Sequence, residues 1–474
     1  MSIRTRLVAG MACVLLVSAC SSTAEDSTES TAASTTAAPS TSEGPVTSEG
    51  TETTVPDTTA PDTTVAPEPV RGVDGDTVKV GFIVAKNQAE AQAKLGTTGI
   101  TFVDHEAVVT TLVDDINGRG GLGGKQIVPV LRVIDQLTDT DPAAIASATC
   151  ATFTEDNEVY AVLSINDPGP EVLACLNSAG VPLIASSGAT FSFADQSVYD
   201  ANPLYFNPSG INLDRAATAL VEGLSTAGFF TPDATVGLIR LTSPEFDAAT
   251  TNSLEPALAA AGVTPVVTAA LASIKTSDDI GRFSSEAAAA VLEMKEAGVT
   301  HLVFFESGGA APFFFLQNAA SQGFTPKLGF SSLSGGQTLV QNIQTGGTNV
   351  AWSPIGEVPD AAQLPESAAA TKCLDLIDST RAVYTSPNAS SEALRFCDST
   401  WLLEAGVTAA GAPVAGTDLA AAIEGLGDTY QSPAALKSVF GPGRHDGVAE
   451  YYITDYDSGC GCNTYRAGDP TPIG

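Results

Sequence analysis

From Thr77 onward, apolar runs of strand length alternate with segments of helical periodicity. That order admits few folds, chiefly mostly parallel sheets covered by helices on both faces. Thr77 to Val84 and Lys125 to Ile134 read as buried strands. Between them, Val108, Val109, Leu112, Val113 and Ile116 recur on one face of a helix over residues 104–117. Asp141-Pro142 opens the next helix, with an N-cap acceptor followed by a proline where no amide is needed. Further strands are expected at Tyr160–Ile165, Val181–Ser186, Thr235–Leu241, Thr264–Leu271 and His301–Glu306.

Arg71 to Gly474 spans about 400 residues, too many for one core and natural for two lobes. Two extended Pro/Gly-rich stretches, 201–213 and 353–366, break the α/β spacing and are expected to cross between lobes. A chain that crosses more than once builds each lobe from discontinuous pieces and leaves a cleft between them. The expected division is 71–207 with 356–437 for the first lobe, and 208–355 with 438–474 for the second.

Before residue 71 the composition changes. Arg4 and Arg6 precede the short apolar stretch Leu7–Leu16, and small residues lead up to Cys20. The apolar run is shorter than the roughly 20 residues that span a bilayer. It resembles a bacterial lipoprotein signal (residues 1–19), which implies cleavage before Cys20, acylation of its thiol and anchoring on the outer face of the cell membrane. Residues 20–70 are rich in Ser, Thr, Ala, Pro and acids, with no apolar surface to offset ordering, and read as a tether.

A net charge of −33 argues against nucleic acid and anionic lipid surfaces as partners, since both select for Lys and Arg. Beyond Cys20 six cysteines remain, an even number in an oxidising compartment. Cys150 with Cys175 and Cys373 with Cys397 are the expected disulfides, each bridging neighbouring helices. Cys460 and Cys462 are left to each other, in a strained ring, or to another partner. His105, His301 and His445 lack metal-ligand spacing and no G-x-S-x-G elbow occurs, so neither an enzyme nor a metal or other cofactor is expected. Surface or hinge roles are expected for His105 and His445.

Gly118-Arg119-Gly120-Gly121-Leu122-Gly123 matches G-x-G-x-x-G, but a helix precedes it and a strand follows, the reverse of a dinucleotide-binding turn. With its neighbours Asp114 to Lys125, it resembles instead a turn of type I periplasmic solute-binding proteins, the branched-chain amino acid group in particular. Gly180 to Thr190 and Leu302-Val303-Phe304-Phe305 with Ala319–Gly323 resemble later segments of that family. The resemblance implies a two-lobed α/β fold, a monomer, a small polar ligand such as an amino acid or amide, and the permease subunits of an ABC importer as partners. A ligand sensor on the same fold, signalling to a membrane partner, is the alternative.

It also implies a site. Asn166, Ser187, Ala189 and Thr190 fall where the family holds the ligand carboxylate, on loops at the carboxyl ends of strands, where parallel sheets gather ligands. In the second lobe Phe246 stands where the family has a tyrosine, and Ser332 where it has the glutamate that pairs with the ligand ammonium. Glu306 is a substitute anion. These departures favour a ligand without an α-amino group.

Overall fold

The computed structural model describes residues 69–94, 101–139, 141–188, 193–274, 279–343, 345–359 and 362–474. Cys20, the signal and the tether up to residue 68 lie outside them, as do Ala189 and Thr190. Among the described residues no helix is long and apolar enough to cross a membrane.

Two sheets form, each with its own core. In the first, β1 (Val73–Asp74), β2 (Thr77–Lys86), β3 (Gln126–Asp135), β4 (Ala161–Ser164), β5 (Leu183–Ala185) and β6 (Tyr205–Phe206) take the order β3-β2-β4-β5-β6, all parallel. The short β1 pairs antiparallel with the start of β2. In the second, β7 (Val236–Thr242), β8 (Val267–Ala272), β9 (His301–Phe305), β10 (Lys327–Ser331), β11 (Thr348–Ala351), β12 (Glu450–Asp457) and β13 (Cys462–Tyr465) take the order β13-β12-β11-β10-β9-β7-β8. Its first five strands are parallel; β12 and β13 are antiparallel, and β14 (Thr471–Pro472) pairs with β12.

Sequence explains the elements locally. Helix His105–Gly118 is capped by Asp104, which accepts from Ala107 N at 3.1 Å, and it buries the five apolar residues of its periodic face. The turn after it leads into β3: a Cβ on Gly121, whose φ is 83°, would lie 2.2 Å from the Lys125 carbonyl oxygen. These glycines serve a tight helix-to-strand turn, not a phosphate. Asp141 caps helix Pro142–Ala151 by accepting from Ala143 N and Ala144 N.

The first core draws on Val78, Phe82, Leu112, Ile165 and Phe206, and on the later helices Ala368–Ile377, Pro387–Ala410 and Gly416–Glu424 through Cys373, Phe396, Leu402 and Ile423. The second gathers Leu220, Ile239, Phe283, Phe304, Phe315, Trp352 and Tyr451. Between the sheets, residues 207–210 run beside 445–448. Asn207 N donates to His445 O at 2.9 Å, Gly447 N to Asn207 O at 2.8 Å and Val448 N to Gly210 O at 3.1 Å. The approach is close enough that a Cβ on Gly447 would sit 2.2 Å from the Pro208 carbonyl oxygen.

Two expectations about histidines need correction. His105 is buried, its Nδ1 accepting from Ala85 N at 3.0 Å and its ring edge-on to Phe396. His445 does sit in the crossing segment but is buried too, stacked on Phe206 with ring centroids 4.1 Å apart and bonded to Glu424 at 2.8 Å. Each ring is buried with one nitrogen bonded, His105 Nδ1 to the Ala85 amide and His445 Nε2 to Glu424, so neither is a surface residue.

Three disulfides are formed: Cys150–Cys175, Cys373–Cys397 and Cys460–Cys462. The first joins helix Pro142–Ala151 to helix Pro170–Ser178 across a separation of 25 residues. By its effect on unfolded-chain entropy it is expected to contribute about 3 kcal/mol. Urea unfolding of the Cys150→Ser/Cys175→Ser protein, which should lose about that much, checks it; an unchanged midpoint would contradict it.

Candidate functional site

The carboxyl ends of β4 and β5 carry the first group of expected site residues. After β4, Ser164 Oγ donates to Asn166 O at 2.6 Å and accepts from Asn166 N at 3.1 Å, which turns the exposed Asn166 outward. Asp167 then accepts from Gly169 N at 2.9 Å, leading into helix Pro170–Ser178. After β5, Ser187 is buried, and its hydroxyl accepts from Asn207 Nδ2 at 2.6 Å, tying this loop to the crossing segment. Ser209 Oγ accepts from Gly188 N at 3.2 Å and meets Ser186 Oγ at 2.7 Å.

One residue joins these loops that sequence reasoning missed. Arg395, on helix Pro387–Ala410, is only 9% exposed. Its Nη1 donates to Ile165 O at 2.9 Å and lies 3.4 Å from Ser187 O and 3.5 Å from Asn166 Oδ1. Asn166 and Ser187 thus meet through a buried guanidinium. Desolvation pushes its pKa down, opposed by the charge of Glu392.

In the second lobe the expected residues lie deeper than a contact role requires. Phe246 is 1% exposed and packs edge-on against Phe305, in the core rather than as a stacking surface. It follows Ser243, whose hydroxyl caps helix Pro244–Ala249, and that start fixes which face turns inward. Glu306, directly after β9, is also buried, not a solvated strand-end acid. Its Oε2 accepts from Gly309 N at 3.0 Å at the start of helix Ala310–Ser321, where the helix dipole favours a carboxylate. Ser332 is buried as well; its Oγ donates to Glu357 and accepts from Trp352 N at 2.8 Å. Glu357, an acid that sequence reasoning missed, also accepts from Asn349 Nδ2 at 2.9 Å.

The two groups occupy the carboxyl ends of the two parallel sheets. Asp167, after β4, is pushed above the usual carboxylate range, first by burial and further by the charge of Glu245, which follows β7 in the other lobe. Among the described residues no group of three or more His, Cys, Asp or Glu is placed to hold a metal ion.

Burial pushes Glu306 and Glu357 each up to about 7 and Asp398, behind Ser186, up to about 6. A carboxyl whose folded pKa is raised binds its proton more tightly in the folded state, so stability falls as pH rises through about 4 to 7. The protein is expected to be more stable at pH 5 than at pH 8. Glu357→Gln removes one share: its amide can donate to Asn349 Oδ1, which has no partner among the described residues. Stability at pH 8 should rise by about 1–3 kcal/mol. Urea midpoints at both pH values measure this, and an identical pH slope in the variant would refute it.

The periplasmic binding protein family profile matches residues 77–461. Among solved structures, a solute-binding protein of an ABC transporter from R. palustris, in complex with 4-hydroxybenzoate, superposes with a TM-score of 0.59 at 15% identity, covering 84% of this chain and 97% of that one. The branched-chain amino acid transporter substrate-binding protein LivJ from Streptococcus pneumoniae, in complex with isoleucine, gives 0.54 at 17%, covering 84% and 99%. A periplasmic binding protein type 1 from Bordetella pertussis gives 0.55 at 16%, covering 84% and 99%. No curated protein sequence matches. Two lobes of mostly parallel sheet and a profile match across most of the chain lead to one conclusion: the protein belongs to the periplasmic binding protein family.

Proposed function

We propose that this protein is an extracytoplasmic substrate-binding lipoprotein that captures a small polar solute between its lobes and delivers it to an ABC importer. The observation that carries the reading is the coincidence of the family match with polar loops at the carboxyl ends of both parallel sheets. Open α/β sheets bind ligands there. Asn166, Ser187 and the loop holding Ala189 and Thr190 receive the solute in the first lobe. Residues after β7, β9 and β10 close over it from the second, with Phe246, Glu306 and Ser332 shaping that wall from behind. The paired segments 207–210 and 445–448 act as the hinge, and the closed form is what the permease engages. Cys20 carries the lipid, and the acidic tether lets the lobes reach the transporter.

Uptake by a strain lacking this gene is the test. High-affinity import of the solute that the purified protein binds should disappear and return on complementation. Uptake at the wild-type rate in the deletion strain would show that the protein serves another purpose.

A further inference from the structure

Among the described residues, Arg395 has no carboxylate in contact. Arg119, Arg215, Arg240, Arg282, Arg381 and Arg466 each lie within 4.0 Å of a carboxylate; Arg71, Arg132 and Arg444 have no described carboxylate that close either, but they are less buried than Arg395. Arg395 is mostly buried, in a chain of net charge −33, yet no described carboxylate comes that close to it. Two acids lie three residues away along its helix, and both are engaged elsewhere: Glu392 Oε1 accepts from Gln88 Nε2 at 3.2 Å and Oε2 from Val103 N at 3.1 Å, with His105 Nε2 3.6 Å away, while Asp398 accepts from Ser186 Oγ at 2.9 Å and Tyr430 Oη at 2.8 Å. The Arg395 contacts are all to neutral oxygens, those of Ile165, Ser187 and Asn166 on the two loops and Ser391 O at 3.4 Å. Among the described residues its Nη2 has no hydrogen-bond partner. Its Cδ lies 3.3 Å from where a Cβ of Gly188 would be, so the side chain reaches the ends of β4 and β5.

A buried guanidinium with no carboxylate in contact is costly to the free protein, and a ligand that supplies a contacting charge recovers part of that cost on binding. We propose that Arg395 is the anion receptor of the binding site, and that the solute is a small organic acid whose carboxylate it holds. This rests on the solute-binding reading above and names the chemical class. The guanidinium fork matches a carboxylate with two parallel hydrogen bonds, and a single cation suits a single negative charge.

The test is a thermal-shift and calorimetric panel on the delipidated, ligand-stripped protein. It holds benzoate, 4-hydroxybenzoate, leucine, short aliphatic acids, the amide of each acid, neutral sugars, phosphate and sulfate. At least one carboxylic acid should bind and its amide should not. Arg395→Gln should weaken that acid about 100-fold, and Arg395→Lys, which keeps the charge without the fork, about 10-fold. The melting temperature of ligand-free Arg395→Gln should match or exceed that of the wild type, which a purely structural arginine would not allow. Acid affinity unchanged in Arg395→Gln overturns the proposal; so does an amide, phosphate or sulfate binding as tightly as the acid, or a panel in which no acid binds. If Arg395→Gln fails to fold, the wild-type preference for acid over amide decides. A neutral solute that binds equally to wild type and Arg395→Gln overturns this inference and leaves the solute-binding reading standing.

Discussion

Replacing Asp446 by alanine is expected to cost about 3–5 kcal/mol, because it strands a charge inside the crossing segments. Asp446 is 1% exposed, and its Oδ2 accepts from Arg215 Nη1 at 2.5 Å and from Asn212 N at 2.8 Å. Arg215 donates further to Val448 O at 2.6 Å and to Gly474 O at 3.2 Å, so one ion pair ties residues 212–215 to 446–448 and to the end of the chain. Asp446→Ala leaves the guanidinium half-enclosed with its charge unmatched, and the Asn212 amide loses its acceptor. Against a total stability of about 5–15 kcal/mol, that loss would leave a substantial unfolded fraction at growth temperature. Asp446→Asn, which keeps an acceptor without the charge, should cost less. Urea unfolding of both variants measures the difference; a loss under about 1 kcal/mol in Asp446→Ala would mean that the pair is screened as at a surface.

Cys20→Ala should abolish membrane attachment, leaving the protein in the medium or as an uncleaved precursor. The expectation rests on the acyl chains being the only strong attachment, since an apolar stretch as short as Leu7–Leu16 cannot span a bilayer. Fractionation followed by detection of the protein in membrane and medium is the measurement. Undiminished membrane association in the variant would remove the lipid from the account.

Most of the scaffold was legible because its signals are local. Strand runs such as Thr77–Val84, the periodic face from Val108 to Ile116 and the cap at Asp141-Pro142 depend on neighbours a few residues away. The reversed order around Gly118–Gly123 separated a helix-to-strand turn from a nucleotide loop for the same reason. The site was less legible. Helix Pro387–Ala410 lies between the sheet and other helices and buries Glu392 to Leu403 on every face. Arg395 therefore sits in no polar stripe, and its meaning comes from carbonyls more than two hundred residues earlier. One local signal was available: a lone arginine in Ala393-Leu394-Arg395-Phe396-Cys397, within an acidic chain with few basic residues. Glu357 lies hidden in the Pro/Gly-rich stretch 353–366, because its partners, Ser332 just after β10 and Asn349 in β11, come from elsewhere in the chain. Phe246 stands where the resembling family has a tyrosine, but the rotation of its short helix decides which way the ring points.

Native mass spectrometry of the protein purified from its own cells without denaturation, with identification of the small molecule that it releases, tests the central claim most directly. The account predicts one bound solute per chain, carrying a carboxylate and retained far less by Arg395→Gln. A neutral or purely cationic solute, retained equally by wild type and variant, would contradict it.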